Sequence, residues 1–208
     1  MKEKEEQQPV LRLASASPRR RQLLDLIGVP HVATPADIDE TPQAGEDAEI
    51  YVTRLAKDKA IKVRGQHADL AVLAADTTVH VDGRILEKPR DEADCLRMLS
   101  LLSGRRHEVF TGVCVVSDAF PSLGCVQTQV EFRAISEREM RAYWASGEPR
   151  GKAGAYAIQG LGAVFVEKII GSYTNVMGLP LFETARALRN HGVPVWNGTL
   201  ANEDEDID

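Results

Sequence analysis

The dipeptide Asp82-Gly83 stands between Thr78-Val79-His80-Val81 and Arg84-Ile85-Leu86, two short runs rich in strand-forming residues. A two-residue hairpin loop requires backbone that adopts positive φ, and Asp-Gly supplies it with a twist that matches the flanking strands. The chain therefore turns back on itself here as an antiparallel pair. That excludes a purely parallel, doubly wound sheet.

Strands and helices otherwise mix without strict alternation. Strands are expected at Val10 to Ala14, Leu70 to Ala75, Glu108 to Val116, Cys125 to Ala134 and Ala163 to Ile170. In the fourth of these, Val126, Thr128, Val130 and Phe132 alternate with Gln127, Gln129, Glu131 and Arg133, which marks one buried face. Ser17 as N-cap and Pro18 at the first helical position open a helix that Gly28 closes. A second helix runs from about Asp47 to Val63, and Asp91 caps a third through Leu102, closed by Gly104. Ser136-Glu137-Arg138-Glu139 is a capping box for a fourth that ends at Gly147. A glycine-rich stretch to Gly162, a loop from Gly171 to Gly178 and a last helix begun by Pro180 complete the pattern. The fold class is α/β, with a mixed, partly antiparallel sheet flanked by helices. A single domain over residues 10–200 is expected, between a disordered N-terminus at 1–9 and an acidic, disordered tail at 201–208.

Composition narrows the function. Lys and Arg total 25 against 31 Asp and Glu, and the net charge of −6 argues against nucleic-acid binding, which usually needs a basic face. No apolar run approaches the roughly 20 residues of a membrane helix, and the charged start MKEKEEQQP lacks the pattern of a signal peptide. Cys95, Cys114 and Cys125 lie far apart, without metal-ligand spacing, and read as reduced core thiols. The expected compartment is the cytosol, where the acceptor Asn197-Gly198-Thr199 stays unmodified. His31, His67 and His191 read as surface or turn residues, His80 lies in the hairpin and His107 at a strand start; none is given chemistry. No phosphate loop, dinucleotide fingerprint or nucleophile elbow is present.

Three places break local structural rules, and functional sites tend to arise at such places. Arg19-Arg20-Arg21 puts cations in the first turn of a helix, against its dipole, at roughly 0.3–1 kcal/mol each. An anion held there by free N–H groups, Ser15, Ser17 and the guanidinium forks makes the same arrangement favourable, whereas the plain alternative is a solvated basic patch. Lys59 falls on the apolar stripe of Val52, Leu55, Ala56 and Val63. Its ammonium either reaches water past that stripe or serves a phosphate as a point charge. Asp76 ends the apolar run Leu70 to Ala75, at the carboxyl end of the expected strand, where ligands commonly bind. Glu87-Lys88-Pro89 returns beside the start of the hairpin, so Lys88 is expected close to Asp76. Asp37, Asp39 and Glu40 add a loop of carboxylates of the kind that suits Mg²⁺ or Mn²⁺.

Taken together, Ser15-Ala16-Ser17-Pro18-Arg19-Arg20, Asp37-Ile38-Asp39-Glu40, Ala75-Asp76-Thr77, Glu87-Lys88-Pro89-Arg90-Asp91 and Leu102-Ser103-Gly104 occur in an ordered series. Gly154-Ala155-Tyr156-Ala157-Ile158-Gln159-Gly160, Gly171-Ser172-Tyr173 and Val176-Met177-Gly178-Leu179-Pro180 continue it. The series resembles the Maf (septum formation inhibitor) family over about residues 10 to 190. The resemblance implies a nucleotide pyrophosphatase related in fold to the inosine-triphosphate pyrophosphatases, with two lobes around a cleft, frequent homodimers and a divalent cation, Mg²⁺ or Mn²⁺. It makes Asp76 the catalytic carboxylate, as general base or as metal ligand, with Lys88 and Glu40 beside it and Glu40 as the further metal ligand. Ser15, Arg19, Arg20, Lys59 and Lys88 are then phosphate and metal-site residues, and Gln159 with Arg19 and Thr77 sets base choice. That combination resembles the branch acting on dTTP and UTP, not the branch for N7-methylguanosine nucleotides. Thr78, His80 and Glu87 depart from the usual pattern and bear on base preference. A nucleotide-binding regulator of cell division is the rival from another class, distinguished by loss of these charged residues.

Overall fold

The computed structural model describes residues 8–196. The expectations for residues 1–7, the acidic tail and Asn197 lie outside the described residues. Strands β1 (Leu11–Leu13), β2 (His31–Ala33), β3 (Ala71–Val81), β4 (Arg84–Leu86), β5 (Arg106–Val116), β6 (Ser122–Phe132) and β7 (Val166–Ile170) form one sheet. Its order is β2-β1-β3-β5-β6-β7, with β4 paired to β3. The helices are α1 (Pro18–Leu26), α2 (Ala48–Gln66), α3 (Glu92–Leu102), α4 (Glu137–Ala145), α5 (Tyr173–Met177) and α6 (Leu181–Asn190). The sheet is mixed as expected. β1 runs parallel to β2 and β3, and the other pairs are antiparallel. Asp82 and Gly83 take φ of 50° and 72°, the hairpin geometry their sequence demands.

Five expectations change. β3 does not stop at Ala75 but continues as one strand through Val81, so Asp76 sits mid-strand and not at a carboxyl end. His31 opens β2 instead of lying in a turn, because the sheet recruits a three-residue edge strand too short to show periodicity. Residues 161–165 form a 3-10 helix, with strand only from Val166, and the expected loop before Gly178 contains α5. Ser17 occupies the N-cap of α1, yet its hydroxyl makes no cap bond; instead Ser15 Oγ accepts from the Ser17 N–H at 3.2 Å.

Alternation along β3 divides the core. Val72 and Ala74 face α2 and pack with Ala56, Ala60 and Val63. The helix lies very close to the sheet, since a Cβ on Gly112 of β5 would fall 2.3 Å from the Val52 carbonyl oxygen. Leu73 and Ala75 point to the opposite face, into a cluster with Leu23, Leu24 and Leu188 from α1 and α6. Further along that same face, Val79 and Val81 enter a second cluster with Met98 and Leu99 of α3 and Met140 and Tyr143 of α4. These two clusters are the two lobes.

A polar band separates them. Thr77 and Thr111, register partners on β3 and β5, join hydroxyls at 2.9 Å, and Thr111 donates to the Asn175 carbonyl of α5 at 3.1 Å. Asn175 is fully buried and donates to the Val109 carbonyl at 3.1 Å and to Thr128 Oγ1 at 2.9 Å. Buried polar groups need such partners, and here they tie α5 across the seam between the lobes.

Candidate active site

On one edge of β3, β1 pairs as far as Leu73 and β4 pairs only with Val79 to Val81. Residues 74–78 have no strand on that edge, and a cleft of about 770 Å³ opens at the gap. Because Asp76 and Thr77 point to opposite faces, the gap brings side chains from both faces of the sheet into one space. Ser15, Arg19, Arg20, Glu40, Lys59, Asp76, Thr77, Lys88 and Gln159 all line it.

From the α2 side comes Lys59, almost fully buried on the apolar stripe. Its Nζ lies 2.6 Å from Asp76 Oδ1 and 2.6 Å from Glu40 Oε1. The ammonium thus ends between two carboxylates and not in water, as the burial of a charge requires. Lys88 is mostly exposed and stands 3.7 Å from Glu40 Oε2. The cation on Asp76 is therefore Lys59, and the partner of Lys88 is Glu40, so Lys88 shares the cleft with Asp76 without an ion pair to it. Burial is the strongest influence on the Glu40 carboxyl and pushes it up. The Lys59 hydrogen bond and charge, with Lys88 and Arg20, outweigh it and hold Glu40 below the ordinary carboxylate range.

Only Glu40 of the acidic loop reaches the cleft. Asp37 and Asp39 are exposed; the Asp37 carbonyl accepts from Lys62, and Asp39 Oδ1 accepts from the Thr41 N–H at 2.9 Å. Among the described residues no group of three or more His, Cys, Asp or Glu side chains gathers to hold a metal.

From the other face comes α1. Arg20 donates from Nε to the Gly178 carbonyl at 2.8 Å, from Nη1 to Ser15 Oγ at 3.0 Å and from Nη2 to Thr77 Oγ1 at 3.1 Å. It pins α1, β3 and the end of α5 together. Arg19, half-buried beside it, has no hydrogen-bond partner among the described residues. Burial and the neighbouring Arg20 charge both lower its pKa, so the site gains from an anion there. Arg21 is exposed and does not line the cleft. Gln159 is exposed at the rim and likewise bonds to nothing among the described residues, so its amide does not close its own loop.

Tyr51 and Lys152 were not singled out from sequence. The Tyr51 hydroxyl donates to the Glu40 carbonyl at 2.9 Å and fixes the acidic loop over the cleft. A buried Tyr on a helix stripe looks like core, and only the tertiary fold reveals this bond. Lys152 adds a cation to the wall that holds Gln159, and the lysine of Gly151-Lys152-Ala153 was the available signal.

The fold and site together define an α/β protein with a two-lobed, charge-lined cleft at an open sheet edge, suited to a polyphosphate. The chain belongs to the Maf family: the model for "Maf-like protein" matches residues 10–191. It is 55% identical over 190 residues to the dTTP/UTP pyrophosphatase of Sphingopyxis alaskensis, covering 90% of this chain and 99% of that protein. The dTTP/UTP pyrophosphatase of Myxococcus xanthus is 52% identical over 193 residues, covering 92% of this chain and 98% of that protein. Among solved structures, the Staphylococcus aureus Ham1 protein aligns with a TM-score of 0.44 and 15% identity, covering 59% of this chain and 71% of that one, a likeness too slight to bear on function.

Proposed function

We propose that this chain is a nucleoside triphosphate pyrophosphatase that converts dTTP and UTP to the monophosphate and pyrophosphate. The observation that carries the reading is the pairing of Asp76 and Glu40 on Lys59, in the same cleft as Arg19, whose guanidinium has no hydrogen-bond partner among the described residues. The names of the relatives, shared at about half identity over most of the chain, supply the substrate.

In this reading the oxygen of a water attacks the α-phosphorus, and Asp76 accepts the proton that the water releases. The bond between the α-phosphorus and the α–β bridging oxygen breaks, and that oxygen leaves with pyrophosphate. Arg19, Lys88 and Lys152 oppose the charge that gathers on the leaving group. Lys59 holds Asp76 in place at the cleft by their ion pair, while Arg20, committed to Ser15, Thr77 and Gly178, sets the wall on which the phosphates rest. Asp76 and Glu40 fit a divalent cation, since Mg²⁺ or Mn²⁺ takes one or two carboxylates and completes its shell with substrate phosphates and waters. When bound, such an ion supplies Lewis-acid neutralisation of the phosphate oxygens. The setting is cytosolic, where Cys95, Cys114 and Cys125 stay unpaired thiols.

Uracil and thymine present an acceptor–donor–acceptor edge, and the free amide of Gln159 can meet it with two hydrogen bonds. The test is kcat/KM for dTTP, UTP, CTP, ATP, GTP and N7-methyl-GTP. The parent chain favours dTTP and UTP, and Gln159→Ala narrows that lead by about 1–3 kcal/mol, the cost of a polar edge left unpaired. Preference for N7-methyl-GTP overturns the reading.

A further inference from the structure

The segment 157–162 carries Gln159 at its tip, and Gln159 does nothing to hold the segment in place. The holding is done from beneath, by two side chains outside the motif. Glu148, on the turn after α4, accepts from the Gly162 N–H on Oε1 at 2.9 Å and from the Leu161 N–H on Oε2 at 2.8 Å. Tyr143, buried on α4, donates its hydroxyl proton to Glu148 Oε1 at 2.7 Å and accepts from the Ala157 N–H at 3.0 Å. Backbone N–H groups on both sides of Gln159 therefore end on one carboxylate–phenol pair. The carboxylate lies so close under the segment that a Cβ on Gly160 would fall 2.1 Å from Glu148 Oε2. Burial alone would raise the Glu148 carboxyl; the bonds from Gly162, Tyr143 and Leu161 and the Lys152 charge outweigh it and keep the group ionised.

We propose that Glu148 and Tyr143 are positioning residues for base choice, holding the segment 157–162 so that Gln159 stands in the cleft at the height of the base. The proposal rests on the reading of Gln159 given above. Neither side chain lines the cleft, although the Glu148 charge acts on Arg19 and Lys152. Tyr143→Phe and Gly160→Ala keep that charge and should therefore move KM for the preferred bases and leave kcat alone, whereas Glu148→Gln also removes the negative charge that acts on those two cations. A glutamine at 148 has one acceptor oxygen for three donors and turns an NH₂ toward one of them, so at least one bond is lost.

The experiment compares Glu148→Gln, Tyr143→Phe and Gly160→Ala with the parent chain and with Gln159→Ala. It reads kcat and KM separately for dTTP, UTP, CTP and GTP, together with the thermal midpoint. Each of the three variants is expected to raise KM for dTTP and UTP about tenfold, the effect of roughly one lost hydrogen bond to a charged group. For Tyr143→Phe and Gly160→Ala, saturated kcat and the values for CTP and GTP stay within about twofold. Glu148→Gln added to Gln159→Ala narrows discrimination no further than Gln159→Ala alone, since both act on one contact. Gly160→Ala displaces the carboxylate without changing it, so it decides the matter if Glu148→Gln fails to fold. Equal losses for all four substrates in Tyr143→Phe and Gly160→Ala, or a lowered midpoint with discrimination intact, overturn the proposal. A parent chain without a dTTP and UTP lead overturns the underlying reading instead, and the parent's own ranking separates the two failures.

Discussion

Lys59 shows how one residue can be costly to bury and still be held. Its stem follows the apolar stripe of α2, and its ammonium is neutralised twice, by Asp76 and by Glu40, each at 2.6 Å. A buried pair that loses one partner is usually destabilised, but here Glu40 remains on the lysine when Asp76 loses its charge. Asp76→Asn is therefore expected to fold, with circular dichroism and thermal midpoint close to the parent. Its kcat should fall at least about a hundredfold, the lower range for loss of a general base. A folded Asp76→Asn chain with near-parent turnover removes Asp76 from the chemistry. Arg20 makes the complementary point. Three of its donors are used by Ser15, Thr77 and Gly178, so its first role is architectural, and the anion is left to Arg19.

Among the elements, α4 links stability to specificity. Its capping box is complete: Ser136 Oγ accepts from the Glu139 N–H, and Glu139 Oε2 accepts from the Ser136 N–H at 2.9 Å. Arg133 donates to Glu139 Oε1 at 2.7 Å. The Arg133 and Ser136 hydrogen bonds hold the Glu139 pKa down at about 2. A carboxyl whose folded pKa is depressed stabilises fully above its unfolded value, about 4.3, and loses that contribution as pH falls through the folded value. The stability gap between the parent and Glu139→Gln, read from urea midpoints, should be full above about pH 4.3 and close as the pH falls towards 2. A gap that persists unchanged at pH 2 denies Glu139 this role. Because Tyr143 lies two turns further along the same helix, this cap also steadies the residue under the Gln159 segment.

At the scale of the whole molecule, two apolar clusters on one face of the sheet leave a seam, and the seam is where the chemistry gathers. The Thr77–Thr111–Asn175–Thr128 band floors it, and the gap between β1 and β4 opens it to α2 on the other face. Two carboxylates held on one lysine make a poor cation cage alone and an adequate one beside a triphosphate. Chelation of divalent ions is thus expected to abolish pyrophosphate release, and Mg²⁺ or Mn²⁺ to restore it. Without nucleotide, the same ions should leave the thermal midpoint nearly unchanged, and with nucleotide they should raise it, because only the ternary site is complete. Full turnover in a metal-free assay would deny the ion its part. No helix among the described residues is long and apolar enough to cross a membrane.

The local signals in the chain were sufficient for what local physics controls. Asp82-Gly83 set the hairpin, Ser136 and Glu139 the cap of α4, and the 3.6-residue stripe of α2 the anomaly at Lys59. The misfit of Arg19, Lys59 and Asp76 with their surroundings marked residues that line the cleft from both faces of the sheet. Contacts distant in sequence were beyond that reach. Whether Lys59 met water or carboxylates, which cation faced Asp76, which acidic loop residue turned inward, and that β2 existed at all depended on neighbours up to dozens of residues away. The support of Gln159 by Tyr143 and Glu148 has the same origin. A hydrogen bond or ion pair is set by three-dimensional distance, and periodicity records only which face of its own element a side chain occupies. The partner waiting on that face is chosen by packing, and packing belongs to the tertiary structure.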